Sequence, residues 1–208
     1  MIKRESYMKR IRPFFGNDLV KALIGLHRSG KSVMLELIKE ELTASGVAPS
    51  QFISINVEDM SYAHLQNAEA LHAEIKQRAA GIQGKAYLFF DEIQEVKDWE
   101  KCMNSLRVSL DGDIYITGSN AKLLSGELAT YLAGRYVEFV IYPCSFAEFN
   151  ELYRTIFPNA DIRQCVSKYL RAGGMPYLSN LRYDETAIRK YLRDLFNSVE
   201  LKDIVKRN

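Results

Sequence analysis

The chain has 208 residues, of which 47% are hydrophobic and 26% charged, which is ordinary for a globular protein with room for one α/β domain and a small appendage. A formal net charge of +2 is too small to favour nucleic acid through bulk electrostatics, and the sequence has neither a signal-peptide pattern nor an apolar run of membrane length. The three cysteines, Cys102, Cys144 and Cys165, lack zinc-ligand spacing, so we expect reduced thiols in a cytoplasmic protein. Because no apolar run has membrane length, we expect no membrane partner.

Hydrophobic periodicity predicts strands that alternate with helices from the N-terminus to Pro143. A short basic helix in the first 15 residues precedes a strand at about 21–25 and a helix at about 31–45. The pattern then predicts a strand at 51–57, a helix at 63–80, a strand at 86–90, a helix at 98–110, and strands at 113–117 and 135–142. This alternation is typical of a mostly parallel sheet that helices cover on both faces.

Beyond residue 143 the pattern changes to helices alone, at 145–157, 161–172 and 184–206. We therefore predict a core domain of residues 1–143 and a helical C-terminal subdomain of residues 144–208. The last helix has apolar residues that need a covering surface. We therefore expect the chain to be a fragment of a longer protein.

The segment Gly25-Leu26-His27-Arg28-Ser29-Gly30-Lys31-Ser32 matches the phosphate-binding pattern G-x-x-x-x-G-K-[ST]. A predicted strand precedes it and a predicted amphipathic helix follows, so backbone N–H groups and the helix N-terminus would converge on an anion. Lys31 would reach the β- and γ-phosphates, and the Ser32 hydroxyl would help to hold Mg²⁺. The residues that we expect to hold the nucleotide are Gly25, Arg28, Ser29, Gly30, Lys31, Ser32 and Val33. For Arg28, a position on the outer side of the loop against a partner is the alternative.

A second motif follows the apolar strand at 86–90, which ends in Asp91 and Glu92. In open α/β sheets, ligands bind beyond the carboxyl ends of the strands, at the edge where the glycine loop also lies. Hydrolysis of a nucleotide needs one carboxylate to organise Mg²⁺ and another to orient or deprotonate water. We assign Asp91 to the metal and Glu92 to the water. The alternative is that this acidic pair only begins a solvated turn.

The strand at 113–117 runs into small polar residues, and Thr117, Ser119 and Asn120 are candidates for a hydroxyl or amide between the acidic pair and the γ-phosphate. Asn120 could help to hold the attacking water, as a catalytic residue. The alternative is an ordinary helix start with Ser119 or Asn120 as the N-cap.

Arg135 opens the strand at 135–142 and is a candidate for stabilising charge in the transition state. It could act within its own chain or on a neighbouring subunit. An ion pair with Glu127 or Glu138 is an equally good interpretation of this arginine.

Together, the segments GLHRSGKSVML, YLFFDEIQ, IYITGSNAKLLSGELATYLAGRYVEF, YPCSFAEF and YLRAGGMPYL resemble a prokaryotic family of P-loop AAA-type ATPases. The resemblance runs from about residue 4 to the end of the chain. It implies a three-layer P-loop fold with a mostly parallel, five-stranded sheet in which strand 113–118 separates the loop strand from the acidic strand. It also implies that ATP and Mg²⁺ are bound through Lys31, Ser32, Asp91 and Glu92, with Ser119 or Asn120 as a polar sensor. Many members have arginine where this chain has His27, and members usually continue into a nuclease-like C-terminal domain.

The function that these motifs favour is Mg²⁺-dependent ATP hydrolysis by a switch or motor that acts on an unidentified partner. A nucleotide-binding regulatory module with little turnover is the alternative, as is a DNA-associated module that uses basic residues of the last helix. A small-molecule kinase is disfavoured because no arginine-rich lid is evident, and a GTPase because the guanine-reading pattern N-K-x-D is missing. Protein partner and oligomeric state stay open at this point.

Overall fold

The computed structural model describes residues 2–119 and 132–205. Within those ranges, no helix is both long enough and apolar enough to cross a bilayer. The helices and strands in chain order are α1 (Glu5–Ile11), β1 (Val20–Gly25), α2 (Lys31–Ala44), β2 (Phe52–Asn56), α3 (Ala68–Ala79), β3 (Ala86–Asp91), α4 (Trp99–Ser109), β4 (Gly112–Ser119), β5 (Tyr136–Val140), α5 (Phe146–Ile156), α6 (Ile162–Ala172) and α7 (Glu185–Val205).

Most predicted elements lie within a few residues of their observed ends, and α3 differs most. The hydrophobic pattern predicts a helix from residue 63, whereas α3 begins at Ala68. The reason is a cap: the Asn67 side chain accepts a hydrogen bond from the Ala70 amide at 2.9 Å, and Asn67 itself has extended backbone angles. A short 3₁₀ turn, Met60–Tyr62, occupies part of the region before it.

The chain divides into two compact units. The core unit comprises Glu5–Gly25 and Lys31–Ile141, and the helical unit comprises Met1–Arg4, Leu26–Gly30 and Tyr142–Asn208. The sequence predicted a helical subdomain of residues 144–208 alone. The structure adds to it the residues before α1 and the central part of the glycine loop.

The core unit contains a five-stranded, all-parallel sheet in the order β2-β3-β4-β1-β5. β4 therefore separates the loop strand β1 from the acidic strand β3, which confirms the order that the family resemblance implied. The register pairs Gly25 with Ser119 and Phe90 with Ile116, so β1, β3 and β4 end side by side. In a parallel sheet this is the edge at which ligands bind.

Side chains alternate between the two faces of this sheet, as the two-residue repeat of a strand requires. Ile24 and Phe90 belong to one hydrophobic cluster, which α3 and α4 cover with residues such as Leu71, Ile75, Met103 and Leu106. Leu23 and Phe89 belong to the other, which α1 and α2 cover with Met8, Ile11, Met34, Ile38 and Leu42. The result is the predicted three-layer α/β arrangement.

One charged pair is fully buried in the sheet of the core unit. The Lys21 ammonium contacts the Asp113 carboxylate, and both side chains have 0% exposure. The second Asp113 oxygen accepts hydrogen bonds from the Gly16 amide at 2.7 Å and the Tyr115 hydroxyl at 2.8 Å. Burial lowers the pKa of Lys21, although the charge of Asp113 opposes this shift. The pair ties β1 to β4 and to the turn before β1.

The helical unit has a core of its own, in which aromatic rings predominate. Phe149 is buried against the rings of Tyr153, Tyr169 and Tyr183, with centroids 5.1 to 5.5 Å away. Gly174 allows the backbone to approach Cys144, whose amide donates to the Gly174 carbonyl at 2.7 Å. A β-carbon at position 174 would lie 2.1 Å from the Cys144 carbonyl oxygen, so only glycine fits there.

Candidate nucleotide-binding site

In the core unit, the predicted phosphate-binding lysine lies at the first position of α2. The Lys31 side chain is buried, its ammonium donates to the Gly25 carbonyl at 3.4 Å, and it lies 3.4 Å from the Glu92 carboxylate. The end of β1, the start of α2 and the end of β3 therefore meet at one point. The structure brings together the lysine and the glutamate that the sequence assigned to phosphate and water.

A buried hydroxyl organises the acidic pair. The Thr117 hydroxyl on β4 donates to the Asp91 carboxylate and accepts a 3.0 Å hydrogen bond from the Glu92 amide. A hydroxyl can do both at once because it has one donor and two acceptor lone pairs. Thr117 was one of three candidates for a polar group between the acidic pair and the γ-phosphate. The structure shows its contacts to the acidic pair, and a contact to phosphate stays a prediction.

Glu92 has an unusual backbone, with φ 54° and ψ 45° in the left-handed region. This conformation is uncommon for residues other than glycine, and such strain clusters at functional sites. The Gln94 side chain donates to the Glu92 carboxylate at 2.6 Å, so this carboxylate lies between Lys31 and Gln94. Sequence reasoning missed Gln94, because it lies in the 3₁₀ turn Ile93–Glu95 and no pattern distinguishes it from any polar turn residue.

The central part of the glycine loop, residues 26–30, belongs to the helical unit. The Ser29 amide donates to the Leu26 carbonyl at 3.2 Å, and Arg28 and Gly30 have φ values of 62° and 101°. Ser29 is fully buried, and its hydroxyl has no hydrogen-bond partner among the residues described. A buried hydroxyl without a partner is costly, so the Ser29 hydroxyl is a candidate contact for a water or a polar ligand.

Two arginines of the helical unit are associated with this loop: Arg28 is part of it, and Arg4 contacts it. The Arg28 guanidinium lies over the rings of Tyr177 and Tyr191, 5.6 and 5.9 Å from their centroids, so the side chain packs on aromatic residues of its own chain. Arg4, which sequence reasoning missed, donates to the Ser29 carbonyl at 2.9 Å. Arg4 precedes the first helix, and no motif contains it.

Arg135 does not lie at the carboxyl edge of the sheet. It immediately precedes β5, its carbonyl accepts from the Val20 amide at 3.0 Å, and its side chain donates to Asn104 at 3.1 Å. Val20 begins β1, whereas the glycine loop follows Gly25, so the length of a six-residue strand, roughly 17–20 Å, separates Arg135 from that loop. This position does not fit a role of Arg135 at a phosphate of its own chain, and the described side-chain contact of Arg135 is to Asn104 rather than to Glu138.

The other predicted residues have simpler positions. Ser32 and Val33 lie exposed in the first turn of α2, and Ser119 ends β4. Asn120 and Glu127 lie outside the residues that the structure describes. The roles of Ser32, Val33 and Asn120 stay predictions.

The sheet order, the glycine loop between β1 and α2, and the acidic end of β3 together define a P-loop nucleotide-binding fold of the AAA type. A family model described as AAA domain (AAA_14) matches residues 17–150, which is more than half of the chain. The chain therefore belongs to this AAA-domain family, which confirms the resemblance to AAA-type P-loop proteins, whereas a nuclease-like C-terminal domain stays a prediction.

An uncharacterized protein of Haemophilus influenzae is 40% identical over 207 residues, which cover 100% of this chain and 51% of that protein. The chain thus spans about half the length of this curated relative.

Solved structures agree on the fold. The AMPPCP-bound DnaA from Aquifex aeolicus has a TM-score of 0.57 at 16% identity, over 99% of this chain and 65% of that one. The ORC1 protein of Aeropyrum pernix, solved in complex with DNA, has a TM-score of 0.54 at 12% identity, over 91% of this chain and 65% of that one. At these identities the likeness concerns the fold alone.

Proposed function

We propose that the protein binds ATP with Mg²⁺ and hydrolyses it, as a switch or motor on a partner that is not identified. The observation that carries the proposal is the cluster at the carboxyl edge of the core unit, where Lys31, Asp91 and Glu92 converge and Thr117 fixes the acidic pair. A lysine and two carboxylates at this edge are the groups that phosphoryl transfer to water requires.

The residues of this cluster have separate tasks. Lys31 has a buried ammonium at the start of α2, where the helix N-terminus also attracts anions, so it would bind the β- and γ-phosphates. The Glu92 carboxylate, held between Lys31 and Gln94, would orient a water and accept its proton. Phosphate bound to Lys31 would replace the contact between Lys31 and Glu92, which would leave that carboxylate oxygen available to a water.

Mg²⁺ fits the donor set of the chain. The metal prefers oxygen ligands and is usually held by one or two carboxylates together with substrate phosphates. Asp91, oriented by Thr117, and the Ser32 hydroxyl would hold it. When bound, the metal neutralises charge on the phosphate oxygens.

Two variants test the proposal. Glu92→Gln keeps the size of the side chain but removes the base, so turnover should fall at least about 10²-fold while ATP affinity persists. Lys31→Ala should abolish affinity. Matched controls are Glu95→Gln, an exposed carboxylate of the adjacent turn, and Lys39→Ala on the same helix, and both should leave affinity and turnover unchanged.

Binding can be measured without turnover. ATP with Mg²⁺ at about 100 times its Kd should stabilise the protein by roughly 2.7 kcal/mol, a melting shift of about 5–10 °C. No shift with any nucleotide would contradict the proposal, and a normal rate in Glu92→Gln would contradict the role of that residue.

A nucleotide-binding module with little turnover is the second candidate. The observation that favours it is the engagement of the Glu92 carboxylate by Lys31 and Gln94, which leaves its basic oxygens occupied. Tight binding with negligible phosphate release would support this candidate.

Hydrolysis measured with and without DNA, over a range of protein concentrations, tests the open alternatives for partner and oligomer. A rate of hydrolysis per protein chain that rises with protein concentration would indicate that assembly activates the site, as a role for Arg135 on a neighbouring subunit requires. Of the basic residues predicted for DNA, Lys190 forms a 3.0 Å ion pair with Asp194 on α7. The cytoplasmic location stays a prediction.

A further inference from the structure

Arg4 is buried in the helical unit with an exposure of 4%, although it is an arginine near the N-terminus. Its backbone φ is 44°, an uncommon conformation for a residue with a side chain, and one that persists only where the surroundings favour it. Burying a guanidinium also costs free energy unless hydrogen bonds compensate. The positive φ and the buried charge both cost free energy, so the contacts of Arg4 must compensate for them.

The guanidinium contacts three separate segments of the helical unit. Its Nη1 donates to the Ser29 carbonyl at 2.9 Å, and its Nη2 donates to the Tyr142 carbonyl at 2.8 Å. Its Nε and Nη2 donate to the two carboxylate oxygens of Glu148, at 3.0 and 3.3 Å. The planar fork of arginine can satisfy such a set of acceptors, whereas the single ammonium of lysine cannot.

The contact with Ser29 fixes the orientation of one peptide group in the glycine loop. A trans peptide is planar, so its C=O and N–H point in opposite directions. Because the Ser29 carbonyl points at Arg4, the Gly30 N–H points away from Arg4. That amide is one of the donors with which a glycine loop of this kind cradles phosphate.

The same contact limits what can occupy position 30. Gly30 has a φ of 101°, and a β-carbon there would lie 3.3 Å from Arg4 Nη1. Arg4 therefore packs directly on the Ser29–Gly30 peptide, at a position where glycine leaves room for the guanidinium.

Glu148 connects this arrangement to α5. It is the third residue of that helix, and its carboxylate also accepts the Ser145 amide at 2.8 Å in a capping box. The position of the guanidinium is thus set by the first turn of a helix rather than by a flexible side chain alone.

We infer that Arg4 is the positioning residue of the phosphate-binding loop. It holds the Ser29–Gly30 peptide in the orientation that presents the Gly30 amide to phosphate, and Glu148 holds Arg4. The inference rests on the proposed nucleotide binding. It adds that loop geometry, and with it affinity for phosphate, depends on the first turn of α5.

The test compares variants by isothermal titration with pyrophosphate and with Mg²⁺·ADP. Arg4→Lys keeps the charge but cannot hold all acceptors, so both Kd values should rise at least about tenfold. Glu148→Gln leaves Arg4 in place without its charged partner, and a rise of about threefold is expected.

Tyr169→Phe serves as the control for general loss of stability in the helical unit. It removes a 3.1 Å hydrogen bond to the Cys144 carbonyl and should lower the melting temperature without changing either Kd. A purely structural role for Arg4 would change melting temperature and Kd in the same proportion in all three variants. That result would overturn the inference.

The outcomes separate the inference from the proposed function. If the unmodified protein binds neither ligand, the proposed function fails and the inference fails with it. If the unmodified protein binds but Arg4→Lys and Glu148→Gln bind equally well, the inference alone is wrong. Should Arg4→Lys not fold, the Glu148→Gln and Tyr169→Phe pair still decides the question.

Discussion

The two units fix the backbone of their candidate site residues by different means. In the core unit, Asp91 ends β3 and Glu92 follows it, and the backbone of this strand is fixed by hydrogen-bond ladders to β2 and β4 on either side. In the helical unit, the Ser29 amide donates to the Leu26 carbonyl, and the guanidinium of Arg4 donates to the Ser29 carbonyl. Strand ladders thus fix the backbone that carries the carboxylates, whereas a side-chain hydrogen bond from Arg4 contacts the Ser29 peptide of the loop.

This difference separates two kinds of sensitivity. A substitution in the core unit should act first on the free energy of unfolding, because the same bonds form the sheet and position the carboxylates. A substitution around Arg4 should act on ligand affinity at a smaller cost in stability.

The largest effect is expected for Asp113→Asn, which leaves the Lys21 ammonium buried without a charged partner. Removing one member of a buried pair costs about 3–5 kcal/mol. Urea unfolding monitored by the fluorescence of Trp99, the single tryptophan, measures this loss in the core unit. The control is Asp111→Asn, whose pair with Lys85 is partly exposed and should cost less than about 1 kcal/mol. Equal losses in the two variants would contradict the importance of the buried pair.

A smaller loss is expected in the helical unit for Gly174→Ala. The added β-carbon would lie 2.1 Å from the Cys144 carbonyl oxygen, so one of the two backbone segments must move. Overpacking of this kind costs about 1–3 kcal/mol. Gly81→Ala is the control, since a β-carbon at position 81 meets nothing within 4 Å. A Gly174→Ala variant as stable as the control in thermal unfolding would show that the segments separate freely.

The sequence predicted the core unit better than the helical unit, for a physical reason. The strands that carry Gly25 and Asp91 are apolar runs followed by chemically distinctive residues, so local pattern locates both. The position of β4 between β1 and β3 came only from family resemblance, because strand order depends on contacts that no local pattern records.

The errors and omissions concern contacts that are long in sequence. Arg4 meets Ser29 25 residues away and Glu148 144 residues away, and neither partner marks it as special in the sequence. Thr117 holds Asp91 from 26 residues away. Arg135 does not fit a role within its own site because the parallel pairing of β5 with β1 puts it at the amino edge, which depends on strand direction rather than on composition.

Thr117→Val tests whether one side-chain hydroxyl in the core unit affects both turnover and stability. Valine matches the shape of threonine but has no hydroxyl, so the Asp91 carboxylate and the Glu92 amide lose their shared partner. We expect turnover to fall about tenfold, together with a loss of about 1–3 kcal/mol in stability. The measurement is phosphate release alongside urea unfolding, with Thr117→Ser as the variant that retains the hydroxyl. If Thr117→Ser fails to recover turnover, the hydroxyl is not what organises the acidic pair.

The smallest effect is a pH dependence of stability in the helical unit. Burial opposes ionisation of Glu148, but hydrogen bonds from Arg4 and from the Ser145 backbone outweigh it and lower the pKa of Glu148. A carboxyl whose pKa is lower in the folded state contributes stability above its unfolded pKa of about 4.3 and loses it as pH falls through the folded pKa.

Two titratable groups lie near Glu148, namely Arg4 and the Cys144 thiol. Burial raises the pKa of the Cys144 thiol to about 11, so that thiol stays neutral between pH 3 and pH 7 and Arg4 is the charged neighbour. Glu148→Gln should therefore be less stable than the unmodified protein at pH 7, and the difference should shrink as pH falls below about 4.3. Free energies of unfolding from urea titrations between pH 7 and pH 3 give the comparison. A difference that stays constant over this range would mean that Glu148 contributes through packing and not through its charge on Arg4.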